Sequence, residues 1–258
     1  MTHSISYRRM LNKMGYYNYQ NGLIYNHLNQ KSGWDSHFDH CRNFILKSLD
    51  LYKPEKVTVL GSGWLLELPL AEMIEKTQKI CLVDIVHPPD VIDQAGKLRN
   101  IELVEDDITG GLVEDIWQKT GMYSFFNKLR SLENIPVPEY TPDSDPGMVF
   151  SLNILTQLES LLIDFIRKRA TIREEEIKGF RTEIQKKHID FLKKHESVLI
   201  TDLSEIITDN SGHVTEEVTM ITDLPAGKYR EEWVWDFNYA RSDFHTKRSV
   251  FKIMGMVI

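Results

Sequence analysis

A chain of 258 residues has room for one α/β domain with an added segment, or for two small domains. Its 41% hydrophobic and 27% charged content is ordinary for a globular protein, and no apolar run approaches the length that spans a bilayer. The formal charge of −7 argues against broad attraction to nucleic acid or to an anionic membrane, and two cysteines, Cys41 and Cys81, make no disulfide framework. The opening stretch MTHSISYRRMLNKMGYYNYQ lacks the apolar centre of a signal peptide, so a reduced, cytoplasmic location is expected.

Residues 1–53 read as an N-terminal helical cap ending in GWDSHFDHCRNFILKSLDLYKP, and Pro54 marks where the chain enters a sheet. Over 54–258, short β-branched runs alternate with helical stretches, the pattern of a parallel sheet with helices on both faces. KVTVLG is the first strand. WLLELPLAEMIEKT is expected to follow as a helix, with Leu66, Leu70, Met73 and Ile74 at helical spacing. Pro69 then falls in the first helical turn, where its missing N–H costs nothing. The strand KICLVDI, a short helix near DVIDQAGKL, the strand IELVE and a helix in DITGGLVEDIWQKT come next.

Residues 121–146 break the pattern. The proline-rich ENIPVPEYTPDSDPG excludes a regular helix or a central strand and reads either as a loop over a site or as a surface insertion. MVFSLNIL is a fourth strand. Apolar stripes through Leu158, Leu162 and Phe165, and through Ile177, Phe180 and Ile184, then predict helices between Leu155 and His195. The many lysines and arginines of this region read as a solvated helix face rather than an anion or RNA surface. SVLITDLSE supplies a fifth strand, and EEWVWDF and RSVFKIMGMVI a terminal pair, with Trp233, Trp235 and Phe237 expected in the core.

The turn after the first strand is the most informative feature. Gly61 and Gly63 suit unusual dihedrals and close approach of a ligand to the main chain. A dinucleotide-binding turn carries a third glycine where this chain has Leu66, and Glu67 follows at once. A carboxylate about 5 Å from a pyrophosphate, at an effective dielectric near 20, costs roughly 3 kcal/mol per charge pair. A ligand bearing an ammonium and a sulfonium is attracted instead, although Glu67 can equally be a helix-start acid. Asp84 ends the second strand, twenty-three residues after Gly61, where an acid accepts from ribose hydroxyls. Asp106 and Asp107 follow the third strand, placed either to accept from an adenine amino group or to cap the next helix. Ser151 and Asn153 end the fourth strand.

This order of strands and acids resembles the class I S-adenosylmethionine-dependent methyltransferases, over about Val57 to Ile258 and including the terminal strand pair. The resemblance implies a Rossmann-like, mostly parallel sheet of about seven strands with helices on both faces. It implies S-adenosyl-L-methionine as cofactor and transfer to a small-molecule acceptor. Gly61, Ser62 and Gly63 then line the methionine part, Asp84 with Ile85 binds the ribose, Asp107 with Ile108 flanks adenine, and Ser151 with Asn153 lies near the methyl. Departures are Val59 where the family has an acid, Leu65 where it has a third glycine, and no Asn/Asp-Pro-Pro-aromatic run after the fourth strand. Glu67 is assigned part of the missing acid's work on the methionine ammonium.

A hydroxyl acceptor benefits from a general base, for which His37 and His87 are candidates. His37, His40 and Cys41 share a helix face, but without a second ligand cluster no metal site is expected. Trp34 and His37 are expected to face the pocket. Tyr16, Tyr17, Tyr19 and Tyr25 form a lid over the acceptor, or pack on the sheet edge or on a dimer mate; Tyr17, Trp34 and His37 are the candidate substrate contacts. Two rival readings stand beside the methyltransferase. One is a catalytically inactive Rossmann-like binding or scaffold protein, kept open by Val59 and Leu65. The other is an NAD-dependent oxidoreductase, weakened by Glu67 and Leu66.

Overall fold

The computed structural model describes residues 3–120, 129–238 and 247–258. The chain opens with three helices, α1 (Ile5–Met14), α2 (Tyr16–Asn29) and α3 (Lys31–Tyr52). Ser4 caps α1 by accepting from the Tyr7 N–H at 3.2 Å, and Gly15 ends it in the left-handed region, turning the chain directly into α2. Trp34, Phe38, Cys41, Ile45 and Leu49 of α3 are all buried and recur at three- and four-residue spacing.

Beyond Pro54 come β1 (Lys56–Leu60), α4 (Leu70–Lys76), β2 (Lys79–Asp84), α5 (Pro89–Ala95), β3 (Ile101–Glu105) and α6 (Leu112–Thr120). They are followed by β4 (Met148–Leu152), α7 (Ser160–Arg167), α8 (Glu174–Leu192) and β5 (Ser197–Thr208). The last strands are β6 (Val214–Val218), β7 (Tyr229–Asn238) and β8 (Arg248–Val257). One eight-stranded sheet results, in the order β3-β2-β1-β4-β5-β8-β7, with β6 paired to the outer half of β5. The first five strands are parallel, and β8 lies antiparallel between β5 and β7. This is the expected α/β, Rossmann-like architecture with helices on both faces.

Period-two alternation divides two cores. Val57 and Val59 of β1, Met148, Phe150 and Leu152 of β4, and Val198 and Ile200 of β5 pack with α3 on one face. Leu60, Val83, Val149, Leu199 and Met254 pack with α6, α7 and α8 on the other. Helices α1 and α2 instead lie across the C-terminal ends of the parallel strands. His3 Nε2 is 3.1 Å from the Ile85 carbonyl, Tyr19 donates to Gln157 Oε1 at 2.9 Å, and the Trp64 indole donates to the Gln20 carbonyl at 2.8 Å.

Three expectations need correction. The helix expected from Trp64 begins only at Leu70, because Pro69 disfavours helical dihedrals at Leu68 and its ring would clash with the Leu65 carbonyl. Leu65 itself sits at a φ of 61°, so residues 61–69 form a long loop. The strand β6 was not foreseen: all five of its residues are exposed, and it forms by backbone pairing to a β5 that outruns the core. Finally, the stretch 121–146 falls partly outside the described residues. Its residues from 129 to 146 hold neither helix nor strand, yet Leu132, Ile135 and Tyr140 are buried in the α8-side core, and Tyr140 donates to Asp106 Oδ2 at 2.9 Å.

The cations of α7 and α8 are largely partnered. Arg167 pairs with Glu174, Arg173 with Glu133 and Glu176, Lys187 with Glu183, and Lys193 with Asp190. No helix among the described residues is long and apolar enough to cross a membrane.

Candidate functional site: a crevice at the ends of β1, β2 and β4

The chain runs outward from β1 to β3 and returns to β4 on the other side of β1, so a crevice opens where the strand order reverses. Gly61 and Gly63 have φ values of 77° and 48°. The Gly61 and Ser62 N–H groups donate to the Val83 carbonyl at 3.0 and 3.2 Å, and the Gly63 N–H donates to Asp84 Oδ2 at 2.8 Å. The loop is thereby pinned to the end of β2, with the Asp84 carboxylate facing the glycine turn. From α3, Arg42 donates to the Leu66 carbonyl at 2.7 Å and holds the far end of the loop.

A cavity of about 110 Å³ lies here, and its wall includes Gly61, Gly63, Glu67, Asp84, Ile85 and Asn153. Among the described residues, its wall holds two carboxylates and no lysine, arginine or histidine. Burial pushes the Asp84 carboxyl above its ordinary range, against the pull of His87 and of the Gly63 N–H. Burial raises the Glu67 carboxyl as well, opposed by hydrogen bonding from Asn153 and by Arg42. Because α4 starts late, Glu67 belongs to the loop and is not a helix-start acid.

Behind Asn153 stands a buried chain of polar groups. The Trp233 indole donates to His37 Nδ1 at 3.0 Å; an indole nitrogen only donates, so the ring proton of neutral His37 sits on Nε2. The Asn153 amide lies 3.1 Å from Nε2 and therefore presents its oxygen there, accepting from the ring N–H. His37 is fully buried, stacks on Trp235 with centroids 4.0 Å apart, and is held down to about 3 by burial first and by His40 second. It orients Asn153 and Trp235 from behind the wall.

The structure separates the other residues singled out from the sequence. Trp34 lines the cavity and donates to the Phe237 carbonyl at 2.9 Å. Ser62 is buried and off the wall; Ile108 packs in the α8-side core. Ser151 Oγ is 2.8 Å from His188 Nε2, beneath α8. Asp107 caps α6: its oxygens accept from the Thr109 N–H at 3.0 Å and the Val113 N–H at 3.1 Å. His87 Nε2 lies 3.2 Å from the Val104 carbonyl and off the cavity wall, and Tyr17 packs toward Arg8 and Glu105. His37 Nε2 and Cys41 Sγ are 3.5 Å apart, while His40 stacks on Trp233; among the described residues no group of three or more His, Cys, Asp or Glu is placed to hold a metal ion.

Helix α2 closes the crevice. Tyr16, Tyr19, Gln20 and Leu23 form its outer wall, and Gln20 Nε2 donates to Asp84 Oδ1 at 3.4 Å. Beyond Tyr19 and Leu23 a second cavity of about 550 Å³ continues toward the ends of β5 and β7, and Gln157, Ser160 and Trp235 line both. Gln20, Gln157 and Trp64 gave no signal in the sequence, since a lone amide or an indole in a loop has no spacing to mark it.

Neither a protein-family model nor a curated protein matches the chain. Among solved structures, one described as a DhpI–SAH complex aligns over 91% of this chain and 97% of its own, at 13% identity and a TM-score of 0.30. A second, described as a DhpI–SAM–HEP complex, has the same coverage and identity with a TM-score of 0.32. Likeness at that level carries no argument about the site, which rests on the chain's own geometry.

Proposed function

We propose that the chain is an S-adenosylmethionine-dependent methyltransferase acting on a small-molecule acceptor. One observation carries this reading: two carboxylates, Asp84 and Glu67, flank a glycine turn at the topological switch point, on a wall with no basic residue among the described ones. Such a wall repels a pyrophosphate and attracts a cationic adenosyl compound. The residues present fit that group. Asp84 is positioned to accept from ribose hydroxyls, Glu67 to face an ammonium, and an added Cβ at Gly63 would meet only the Gly61 carbonyl oxygen at 4.0 Å, so the backbone there can be approached closely. The cofactor supplies a methyl group on an already activated sulfonium. What the chain contributes is orientation through Asn153 and Trp235, and exclusion of water by α2.

The cavity is smaller than the roughly 300 Å³ at which drug-sized ligand sites begin, so α2 must move outward for such a ligand to enter. Little buried side-chain surface opposes that movement, although the Tyr19–Gln157, Trp64–Gln20 and Gln20–Asp84 hydrogen bonds must open. Asn26 is the one residue of α2 that is buried, and Tyr25 and Leu28 are 67% and 52% exposed. In the closed arrangement the Gln20 amide takes the hydrogen bond on Asp84 that a ribose hydroxyl would take.

The test is a thermal-shift panel with S-adenosylmethionine, S-adenosylhomocysteine and NAD. Ligand at a hundred times its dissociation constant adds about 2.7 kcal/mol, which the adenosyl-sulfur compounds should produce and NAD should not. Stabilisation by NAD alone overturns the reading, and no response to any of the three favours a scaffold with a closed crevice.

A further inference from the structure

We infer that the second cavity is the acceptor site and that it takes a small aromatic molecule anchored by a protonated amine. The inference rests on the methyltransferase reading for the word acceptor; the cavity's chemistry stands on its own residues. Its volume of about 550 Å³ is in the range of sites for drug-sized ligands, and it shares the Trp235 and Gln157 walls with the crevice.

Four aromatic rings, Tyr19, Trp235, Phe237 and Phe251, form its apolar part. Trp235 and Phe237 meet edge to face with centroids 4.9 Å apart, and Phe237 and Phe251 at 5.3 Å, so these rings are fixed by one another. Asp202 and Glu205 stand on the opposite chemistry. Asp202 is buried and accepts from the Thr156 hydroxyl, and Glu205 accepts from the Ser249 hydroxyl. Among the described residues the remaining charged one on the wall, Arg181, is spent on Glu159, to which it donates at 3.2 Å. Burial pushes the Glu205 carboxyl up, Glu217 and Asp202 add to that, and the Ser249 hydroxyl and Lys247 oppose it. The wall therefore holds an excess of negative charge next to aromatic faces, the surroundings that favour an organic cation.

An ammonium on the two carboxylates and a ring among the aromatics fill the cavity's chemistry.

Binding is measured by calorimetry on the full chain, with and without saturating S-adenosylhomocysteine. The probes are tyramine, tryptamine and benzylamine, each against its carboxylate counterpart: 3-(4-hydroxyphenyl)propionate, indole-3-propionate and benzoate. At least one amine should bind ten times or more tighter than its counterpart, and Asp202→Asn and Glu205→Gln should each remove most of that preference. The wild-type comparison keeps the test decisive even if a variant fails to fold. Carboxylates binding as well as amines, or no amine binding, overturns the inference while leaving S-adenosylhomocysteine binding intact. Amine binding without any response to S-adenosylhomocysteine supports a cation site and overturns the methyltransferase reading instead.

Discussion

Gly61→Ala and Gly63→Ala separate fold from function within three residues. Both glycines have positive φ, and placing alanine in the left-handed region costs roughly 1–2 kcal/mol at either site. The surroundings then differ. A Cβ at Gly61 would stand 2.8 Å from Ile154 Cβ and 3.0 Å from the Leu152 carbonyl oxygen, where neither neighbour can rotate away. Overpacking of that kind adds about 1–3 kcal/mol, for a total of roughly 2–5 kcal/mol. At Gly63 the nearest atom is the Gly61 carbonyl oxygen at 4.0 Å, so the left-handed term stands alone. With roughly 2–4 °C lost per kcal/mol in a chain of this size, Gly61→Ala should melt about 4–20 °C lower and Gly63→Ala about 2–8 °C lower. Calorimetric titration with S-adenosylhomocysteine below both melting points should give the reverse order, with Gly63→Ala losing tenfold or more because its methyl occupies the surface the ligand approaches. Equal losses of stability, or Gly63→Ala binding within twofold of the natural chain, would refute the assignment of roles.

Three further outcomes follow from the same geometry. Gln20→Ala removes the amide that competes for Asp84, so S-adenosylhomocysteine affinity should rise about fivefold, equivalent to about 1 kcal/mol for a long hydrogen bond; an unchanged or weaker affinity denies α2 its part in closing the crevice. Glu67→Gln removes one of the two carboxylates on the cavity wall, and S-adenosylmethionine affinity should fall by tenfold or more, within the roughly 3 kcal/mol of a unit charge pair at about 5 Å; unchanged calorimetric affinity rejects the ammonium contact. His188 is buried and held down to about 4 by desolvation, from an ordinary value of 6.5. The unfolded chain then binds the extra proton below pH 6.5, so its contribution to stability is complete above that value and is lost as pH falls toward 4. Denaturation curves should show the natural chain losing stability about 1.4 kcal/mol per pH unit more steeply than His188→Gln across that window, and parallel curves would show that the histidine does not titrate there.

Much of the architecture was legible because its signals are local. Val57 and Val59 alternate with Thr58 and Leu60, and Met148, Phe150 and Leu152 with Val149 and Ser151, which announces strands buried on both faces. Glycine at 61 and 63 and an acid at 84 are spacing signals, and the structure brings all three to one crevice. Signals with two physical meanings were not resolved by the sequence. An aspartate after a strand can meet a ligand or cap a helix, and Asp107 is seen to cap α6. A histidine on a helix can face a pocket or the core, and His37 is fully buried with both ring nitrogens engaged.

The sequence by itself determined the order of the five parallel strands and the terminal pair, the two-faced core and the glycine turn, because backbone preference and hydrophobic period act over a few residues. Only the tertiary structure decided that α2 lies over Asp84 and that Trp235 from the far edge of the sheet walls two cavities. Those contacts join residues 64 to more than 150 positions apart, as in Gln20 with Asp84 and His37 with Trp233. No local pattern encodes them, since each arises where surfaces meet after the sheet has closed.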